Sequence, residues 1–435
     1  QLRYHEQQSQ YVKIKNVKQA TPYLSFDVPS ADYVKKIASR SVTIAAFYEY
    51  IASGTTVEEL INNIEKSGKL DKYCDGTKMK FEFDTFGRKY SYEEQMKYLK
   101  MFSHFKLWDT CTVDIYHPDR IFCILADYGR ETNDNNRLPR RLYFGVQICE
   151  AKAELIDIFD VKKRTYIGTT SMESEMSLIT ANQALARPGT LAFDPFIGTG
   201  SLLLTCAAFG SMTMGADIDV RTLRGYDSEH NIFSNFQQHG FRNRLVDVVV
   251  CDSAHPAWKA RPILDCIVAD PPYGIRAGAR KIGKKAKPAW IPKDPKEKSE
   301  EHIPQCVAYS VTDVLKDLLL FAAKFLVIGG RLVYWFPTTD QYKETDLALF
   351  PCLRIVANSE QPLSMRWRRR LITMEKFQEY NSDIHDNMSP EHYGQLNLSD
   401  ASHANLKKYW FKIDDKESDE EEEEISNNNN AEESK

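Results

Sequence analysis

The sequence predicts an α/β chain in which a mostly parallel seven-stranded sheet, closed by a C-terminal antiparallel hairpin, follows an α+β region. Three observations predict it. Strand-like and helix-like runs alternate from about residue 189 to residue 374, and such alternation requires helices on both faces of a parallel sheet. The first of these strands runs into a loop with two glycines that opens a helix, Asp194-Pro-Phe-Ile-Gly-Thr-Gly200-Ser201. Residues 1–160 instead mix helix and strand patterns without that alternation.

Along the chain, helices are expected at 31–39, 57–66 and 92–102, the last opened by Ser91-x-x-Glu94, whose side chains can each cap the other's backbone amide. Residues 112–116 and 121–126, joined by His117-Pro118-Asp119-Arg120, read as a hairpin. Beyond residue 189 the strand candidates are 190–194, 212–217, 245–251, 264–270, 331–336, 352–357 and 371–374. Between the first five lie helix candidates at 201–209, 228–239, a short one near His255, and 312–325, ended by Gly329-Gly330. No long helix follows the last two strands, so they are expected to pair as an antiparallel hairpin. No internal repeat is visible.

At 435 residues the chain has room for two or three domains of ~100 to 200 residues. Its 42% hydrophobic, 27% charged and 11% aromatic residues are those of a soluble globular protein and exclude a disordered, collagenous or membrane chain. The most apolar helix candidate, 315–330, is broken by Lys316, Asp317 and Lys324, short of the ~18 apolar residues of a membrane span. Nine dispersed cysteines with no Cys-x-x-Cys pair argue against a disulfide framework or a structural metal site. Cys251 and Cys266 lie in apolar runs, which points to a reducing, cytoplasmic compartment. Since the chain starts at Gln1 rather than methionine, room is left for a trimmed targeting segment, and localisation rests on composition. The last 22 residues hold 11 acids and 2 lysines, so removing them turns 57 basic against 61 acidic into 55 against 50. The body is therefore about +5, and 414–435 reads as a disordered, solvated acidic tail.

The loop at Asp194 carries the first chemistry. Gly198 and Gly200 let a ligand approach backbone amides at a helix N-terminus, a place suited to a carboxylate or phosphate. A dinucleotide fingerprint wants a third glycine where this chain has Leu203, and Asp194 would repel a diphosphate but welcome an ammonium. S-adenosylmethionine offers both an ammonium for Asp194 and a carboxylate for the helix end, with Pro195, Phe196 and Thr199 completing the loop. Asp217 ends the second strand, 17 residues past Gly200, near the spacing at which an acid takes ribose hydroxyls; Asp252, past the third strand, can accept from an adenine amino group.

Asp270-Pro271-Pro272-Tyr273-Gly274 ends the fourth strand, and chance supplies its first four residues in a chain this long on the order of one time in a thousand. Its prolines fix the backbone and leave carbonyls facing outward as acceptors. An exocyclic amine on a base is a poor nucleophile because its lone pair is delocalised. The Asp270 carboxylate and the Pro271 carbonyl can each accept one of its hydrogens, letting the nitrogen aim its lone pair at a methyl sulfonium while Tyr273 stacks on the extruded base.

These two motifs resemble the class I S-adenosylmethionine-dependent amino-methyltransferases, whose fold is Rossmann-like. Four longer stretches, Lys162-Lys163-Arg164 through Gly168-Thr169-Thr170-Ser171-Met172, Asp270 to Arg276, Gly330 to Trp335 and Arg369 to Lys376, resemble the eukaryotic tRNA guanosine N2-methyltransferases that act at position ten. The resemblance covers residues 110–376 and implies a ferredoxin-like segment at 1–50 and a THUMP-type tRNA-binding domain at 51–160. A methyltransferase domain at 161–380 and an extension at 381–413 would follow, and the substrate would be the 2-amino group of a guanosine in tRNA. Methylation of another planar amine, such as the adenine 6-amino group, and a noncatalytic RNA-binding scaffold remain open on the residues alone.

Basic residues fit an RNA substrate. Residues 276–298 hold nine Lys or Arg against two acids, among them Arg276, Arg280, Lys281, Lys284 and Lys285, with Trp290 interleaved; Arg368, Arg369 and Arg370 form a second cluster beside Trp367. In the usual order of this fold the third strand is an edge, and here it exposes Leu245, Val246, Val248 and Val250, so a partner is expected to cover it. The resemblance implies which one: a small zinc-binding activator subunit that makes a heterodimer.

Overall fold

The computed structural model describes residues 13–15, 21–129, 138–272, 280–283, 306–364 and 367–385. By contacts it divides into two compact units, His5–Leu155 and Ile156–Lys435. The division therefore falls at 155/156, against an expected boundary at 160/161.

The first unit opens with a short antiparallel pair, β1 (Lys13–Lys15) and β2 (Ser25–Asp27), followed by α1 (Ala31–Ala38). A five-stranded sheet then forms from β3 (Ala46–Gly54), β4 (Lys78–Phe86), β5 (Thr112–Val113), β6 (Arg120–Asp127) and β7 (Arg141–Glu150), in the order β3-β7-β6-β4-β5. Helices α2 (Val57–Ser67), α3 (Tyr92–Met101) and α4 (Leu107–Thr110) interrupt the strands. Leu60, Ile64, Phe102, Leu107, Phe122 and Phe144 form one buried core, while Val34 and Ala38 of α1 pack on Phe47 and Ala151 in a second. Residues expected to stand apart before position 50 thus share this unit. The Ser91–Glu94 capping box forms as expected.

The hairpin expected from 112–116 and 121–126 does not form. Strand β5 pairs parallel with β4, and β6 pairs with the opposite edge of β4 and with β7. Asp114 ends β5 by accepting the amides of Tyr116 and His117 at 3.0 and 2.9 Å, which turns the chain away before it can fold back on itself.

The second unit starts at α5 (Glu154–Ile158), which straddles the division, and α6 (Ser174–Gln183). Its seven-stranded sheet runs β10-β9-β8-β11-β14-β16-β15. The members are β8 (Leu191–Asp194), β9 (Met212–Asp217), β10 (Leu245–Val250), β11 (Leu264–Ala269), β14 (Leu326–Thr339), β15 (Leu353–Pro362) and β16 (Trp367–Lys376). The first five are mutually parallel, and β16 is antiparallel to both β14 and β15, as the sequence predicts. Helices α7 (Ser201–Ala208), α8 (Val220–Arg224), α9 (Ile232–Gln238) and α10 (Val311–Phe325) cover it. A two-stranded ribbon, β12 (Arg280–Ile282) with β13 (Cys306–Ala308), sits between β11 and α10 in the chain. Cys266, Ile267, Val268 and Ala269 of β11 are fully buried, the mark of a central parallel strand.

Two helix expectations change. The run expected at 228–239 begins only at Ile232, because Asn231 and Ser234 cap each other there. Near His255 no helix forms; Asp252 instead gathers the local amides into turns.

Candidate active site

Parallel strands end their carboxyl termini on one edge, so β8, β9 and β11 deliver Asp194, Asp217 and Asp270 to the same edge of the sheet. Asp194 is only 1% exposed, and its Oδ1 accepts the Phe196 amide at 2.9 Å. Burial drives its carboxyl well above the usual range, and the charges of Asp217 and Asp270 add to the shift. The Phe196 amide opposes it. The Asp270 carboxylate is therefore near enough for its charge to bear on Asp194.

The glycine loop is shaped by its neighbours. Gly198 and Gly200 take φ of 51° and 85°, the left-handed region where a side chain is strained. Asp217 holds the turn from the next strand, with Oδ2 accepting the Gly198 amide at 3.0 Å and Oδ1 that of Asp219 at 2.9 Å. The Ile218 amide also bears on this carboxylate, which offers about four lone-pair sites, so one remains on Asp217 for a hydroxyl donor. Its pKa is also raised, mainly by burial. Phe196 packs with Ala254 against Tyr309 and Val314.

Asp252, 3% exposed, accepts from the Ala254 amide at 3.0 Å, the Ile282 amide at 2.8 Å and His255 Nδ1 at 3.0 Å. Three of its roughly four acceptor sites are occupied, leaving one on Oδ1 for an amino group. The same carboxylate thus ties the β12 end of the ribbon to the loop after β10.

The sequence gives no role to several supporting residues, which include Arg164, Gly168 and Ser171. The Thr199 hydroxyl bonds Ser171 Oγ at 2.7 Å, and Ser171 accepts the Gly168 amide at 2.9 Å. A Cβ on Gly168 would lie 2.8 Å from Thr199 Cγ2, so only glycine lets this segment close over the loop. Buried Arg164 donates to Ser201 Oγ at 2.5 Å and to the Phe159 carbonyl at 3.2 Å; burial pulls its guanidinium down to about 10. These residues fall in the stretch 162–172, where Gly168 beside two hydroxyl residues was the readable signal.

Pro271 is buried and Pro272 half-buried at the mouth of the site. Tyr273, Arg276, Lys284 and Lys285 lie outside the described residues. Arg280 is exposed, and Lys281 Nζ sits 4.9 Å over the Tyr309 ring. Arg368 and Arg370 both pair with Glu360, whereas Arg369 does not. Strand β10 is the sheet edge; Leu245 turns inward at 2% exposure, while Val246 and Val250 stand 54% and 53% exposed and Val248 is intermediate.

The acids fit a cationic ligand. Among the described residues every charge bearing on Asp194 is another carboxylate, so an ammonium or sulfonium would favour the ionised form that burial and those charges oppose. S-adenosylmethionine carries both cations and a carboxylate for the amides of the glycine loop.

Comparison with known proteins gives the family. Residues 7–153 match the family model described as the Tmrp11 THUMP N-terminal domain. The chain is 38% identical over 433 residues to the Dictyostelium discoideum tRNA (guanine(10)-N(2))-methyltransferase TRMT11, covering 95% of this chain and 84% of that protein. It is 35% identical over 410 residues to the Homo sapiens TRMT11, covering 90% and 87%. Among solved structures, the crystal structure of TrmN from Thermus thermophilus is 16% identical with a TM-score of 0.36, over 77% of this chain and 83% of that one. At this level of identity and coverage, the chain belongs to the tRNA (guanine(10)-N(2))-methyltransferase family.

Proposed function

We propose that this chain is an S-adenosylmethionine-dependent tRNA (guanine-N2)-methyltransferase that methylates the exocyclic 2-amino group of guanosine, at position ten as its relatives' names state. The observation that carries the reading is the convergence of Asp194, Asp217 and Asp270 on one edge of the sheet beside a left-handed glycine loop. When bound, S-adenosylmethionine supplies an electrophilic methyl group on its sulfonium. Asp194 takes the ammonium, the Gly198–Gly200 turn with Pro195, Phe196 and Thr199 shapes the methionine end, Asp217 takes the ribose and Asp252 the adenine. Asp270 and the Pro271 carbonyl accept the two hydrogens of the target amine, Pro272 keeps that carbonyl fixed, and Tyr273 stacks on the base. As the N–C bond forms, the methyl–sulfur bond breaks to leave a neutral thioether and the amine loses one proton, which Asp270 would receive.

The N-terminal unit serves as a THUMP-type tRNA-binding domain, and basic residues around Arg280 and Lys281 contact the RNA backbone. The exposed valines of the β10 edge fit a strand-pairing partner, which we take to be a small zinc-binding activator subunit forming a heterodimer in the cytoplasm. The test is transfer of labelled methyl to bulk tRNA followed by nucleoside mass spectrometry, comparing wild type with Asp270→Ala. We expect mono- or dimethylguanosine from wild type and loss of ~100-fold or more in rate from the variant, with cofactor affinity retained. Methylation of any other nucleoside would overturn the substrate.

A further inference from the structure

The arginine triplet of β16 is not one patch. Alternation along the strand puts Arg368 and Arg370 on one face and Arg369 on the other. Arg368 and Arg370 share Glu360 of β15, and Arg370 also bonds Asn358 at 3.1 Å and lies 4.0 Å over the Tyr342 ring. Their charge is compensated, and their work is to hold β15 against β16.

Arg369 has only neutral contacts among the described residues. Its guanidinium lies 4.3 Å over the Trp335 ring, Nε donates to Gln361 Oε1 at 2.5 Å, and Nη1 approaches Met172 Sδ at 3.5 Å. Trp335 is buried and its Nε1 donates to Thr180 of α6 at 3.1 Å, so the platform under the guanidinium is rigid. Stacking and a side-chain amide hold this cation in place without neutralising it.

Its position is near the chemistry. Ala269 is in register with Tyr334, and Pro337 with Arg369, so the Arg369 backbone stands two strands across from Asp270 and two residues further along. That places the two Cα atoms about 12 Å apart, using strand spacings of ~4.8 Å and rises of ~3.3 Å. The Arg369 guanidinium reaches back over Trp335, which lies at the level of Asp270, and touches Met172, next to the Ser171 that bonds Thr199.

The geometry points to Arg369 as the residue that clamps the RNA phosphate flanking the methylated nucleotide, with Arg368 and Arg370 left to structure. The inference rests on the proposed tRNA substrate. A fixed, uncompensated guanidinium beside a cluster of carboxylates is what a polyanion needs in order to approach that cluster.

The test is tRNA affinity of the full chain at several salt concentrations, with S-adenosylmethionine affinity measured alongside. Arg369→Ala is expected to weaken tRNA binding roughly tenfold at low salt and to lower the slope of log K against log salt by about 0.7 to 0.9, one phosphate contact. Arg369→Lys should restore most of that slope because it keeps the charge. Arg368→Ala should leave the slope unchanged while lowering the melting temperature. An unchanged slope in Arg369→Ala, an equal loss in Arg368→Ala, or a tenfold loss of cofactor affinity in Arg369→Ala would each overturn the assignment. Failure of the wild type to bind tRNA at low salt, even with a co-purified partner subunit present, would instead overturn the proposed function.

Discussion

Replacing Asp194 by Asn separates what the site needs for stability from what it needs for binding. Asn keeps an oxygen for the Phe196 amide, which Asp194 now accepts at 2.9 Å, so the loop loses no hydrogen bond. It removes a charge that is buried and pressed by Asp217 and Asp270. The sign follows from the raised pKa. Ionisation of Asp194 costs the folded chain more than the unfolded one, so its contribution is intact below the unfolded value near 4 and is lost as pH rises through the folded value. Asp194→Asn should therefore match or exceed wild type in urea midpoint at pH 7.5 and differ little at pH 4, a gain that grows with pH. Binding should move the other way. A charge-assisted hydrogen bond contributes about 1.5–3 kcal/mol, so the affinity for S-adenosylmethionine by calorimetry should fall roughly 10- to 150-fold. Because a bound cation lowers the pKa of Asp194, wild-type binding should also release protons, visible as a dependence of the measured heat on buffer, and the variant should release fewer. A variant that is less stable at pH 7.5 and binds the cofactor with unchanged affinity would refute the reasoning.

Other outcomes follow from the same contacts. Asp252→Ala strands the amides of Ala254 and Ile282 and the His255 ring, which should cost about 1–3 kcal/mol and speed hydrogen exchange at residues 280–283; unchanged exchange there would mean that the ribbon is held by something else. On the β10 edge, Val246→Asp with Val250→Asp removes two apolar positions from any added strand. At about 0.2–1 kcal/mol each this should weaken any strand-pairing partner up to ~30-fold while making the isolated chain more soluble. The unmodified chain alone should be poorly soluble or inactive, and full activity of the isolated, folded chain would remove the need for a partner.

Much of the second unit was legible because its strands are short apolar runs closed by an acid. Met212–Asp217 has the bounds expected of it, and β11 differs by one residue. Parallel order followed from the helices between them. What was not legible depends on contacts distant in sequence. Lys78–Phe86 forms a strand although charges interrupt its apolar residues, because the sheet buries one face only. The false hairpin at 112–126 arose from the same limit: a run of β-formers states that a strand exists, not which strand it joins, and here β4 outcompeted the sequence neighbour. Candidate site residues at strand ends were readable from spacing, whereas Ser171 and Arg164 come to the loop from an irregular segment with no period to read.

The arrangement of acids explains why the site needs so much bracing. The charges of Asp217 and Asp270 both oppose ionisation of Asp194, and among the described residues no cation bears on Asp194 to offset them. Left to itself such a loop would open to let water separate the charges. It does not, because each element is fixed by a hydrogen-bond partner from elsewhere. Asp217 holds the Gly198 amide, Ser171 holds Thr199, and Arg164 holds Ser201 at the start of α7. The repulsion is thereby kept as a standing preference for positive charge at the place where a methyl sulfonium must sit. Stabilising the empty protein by removing that preference should weaken the ligand, which is the opposition that Asp194→Asn is expected to expose.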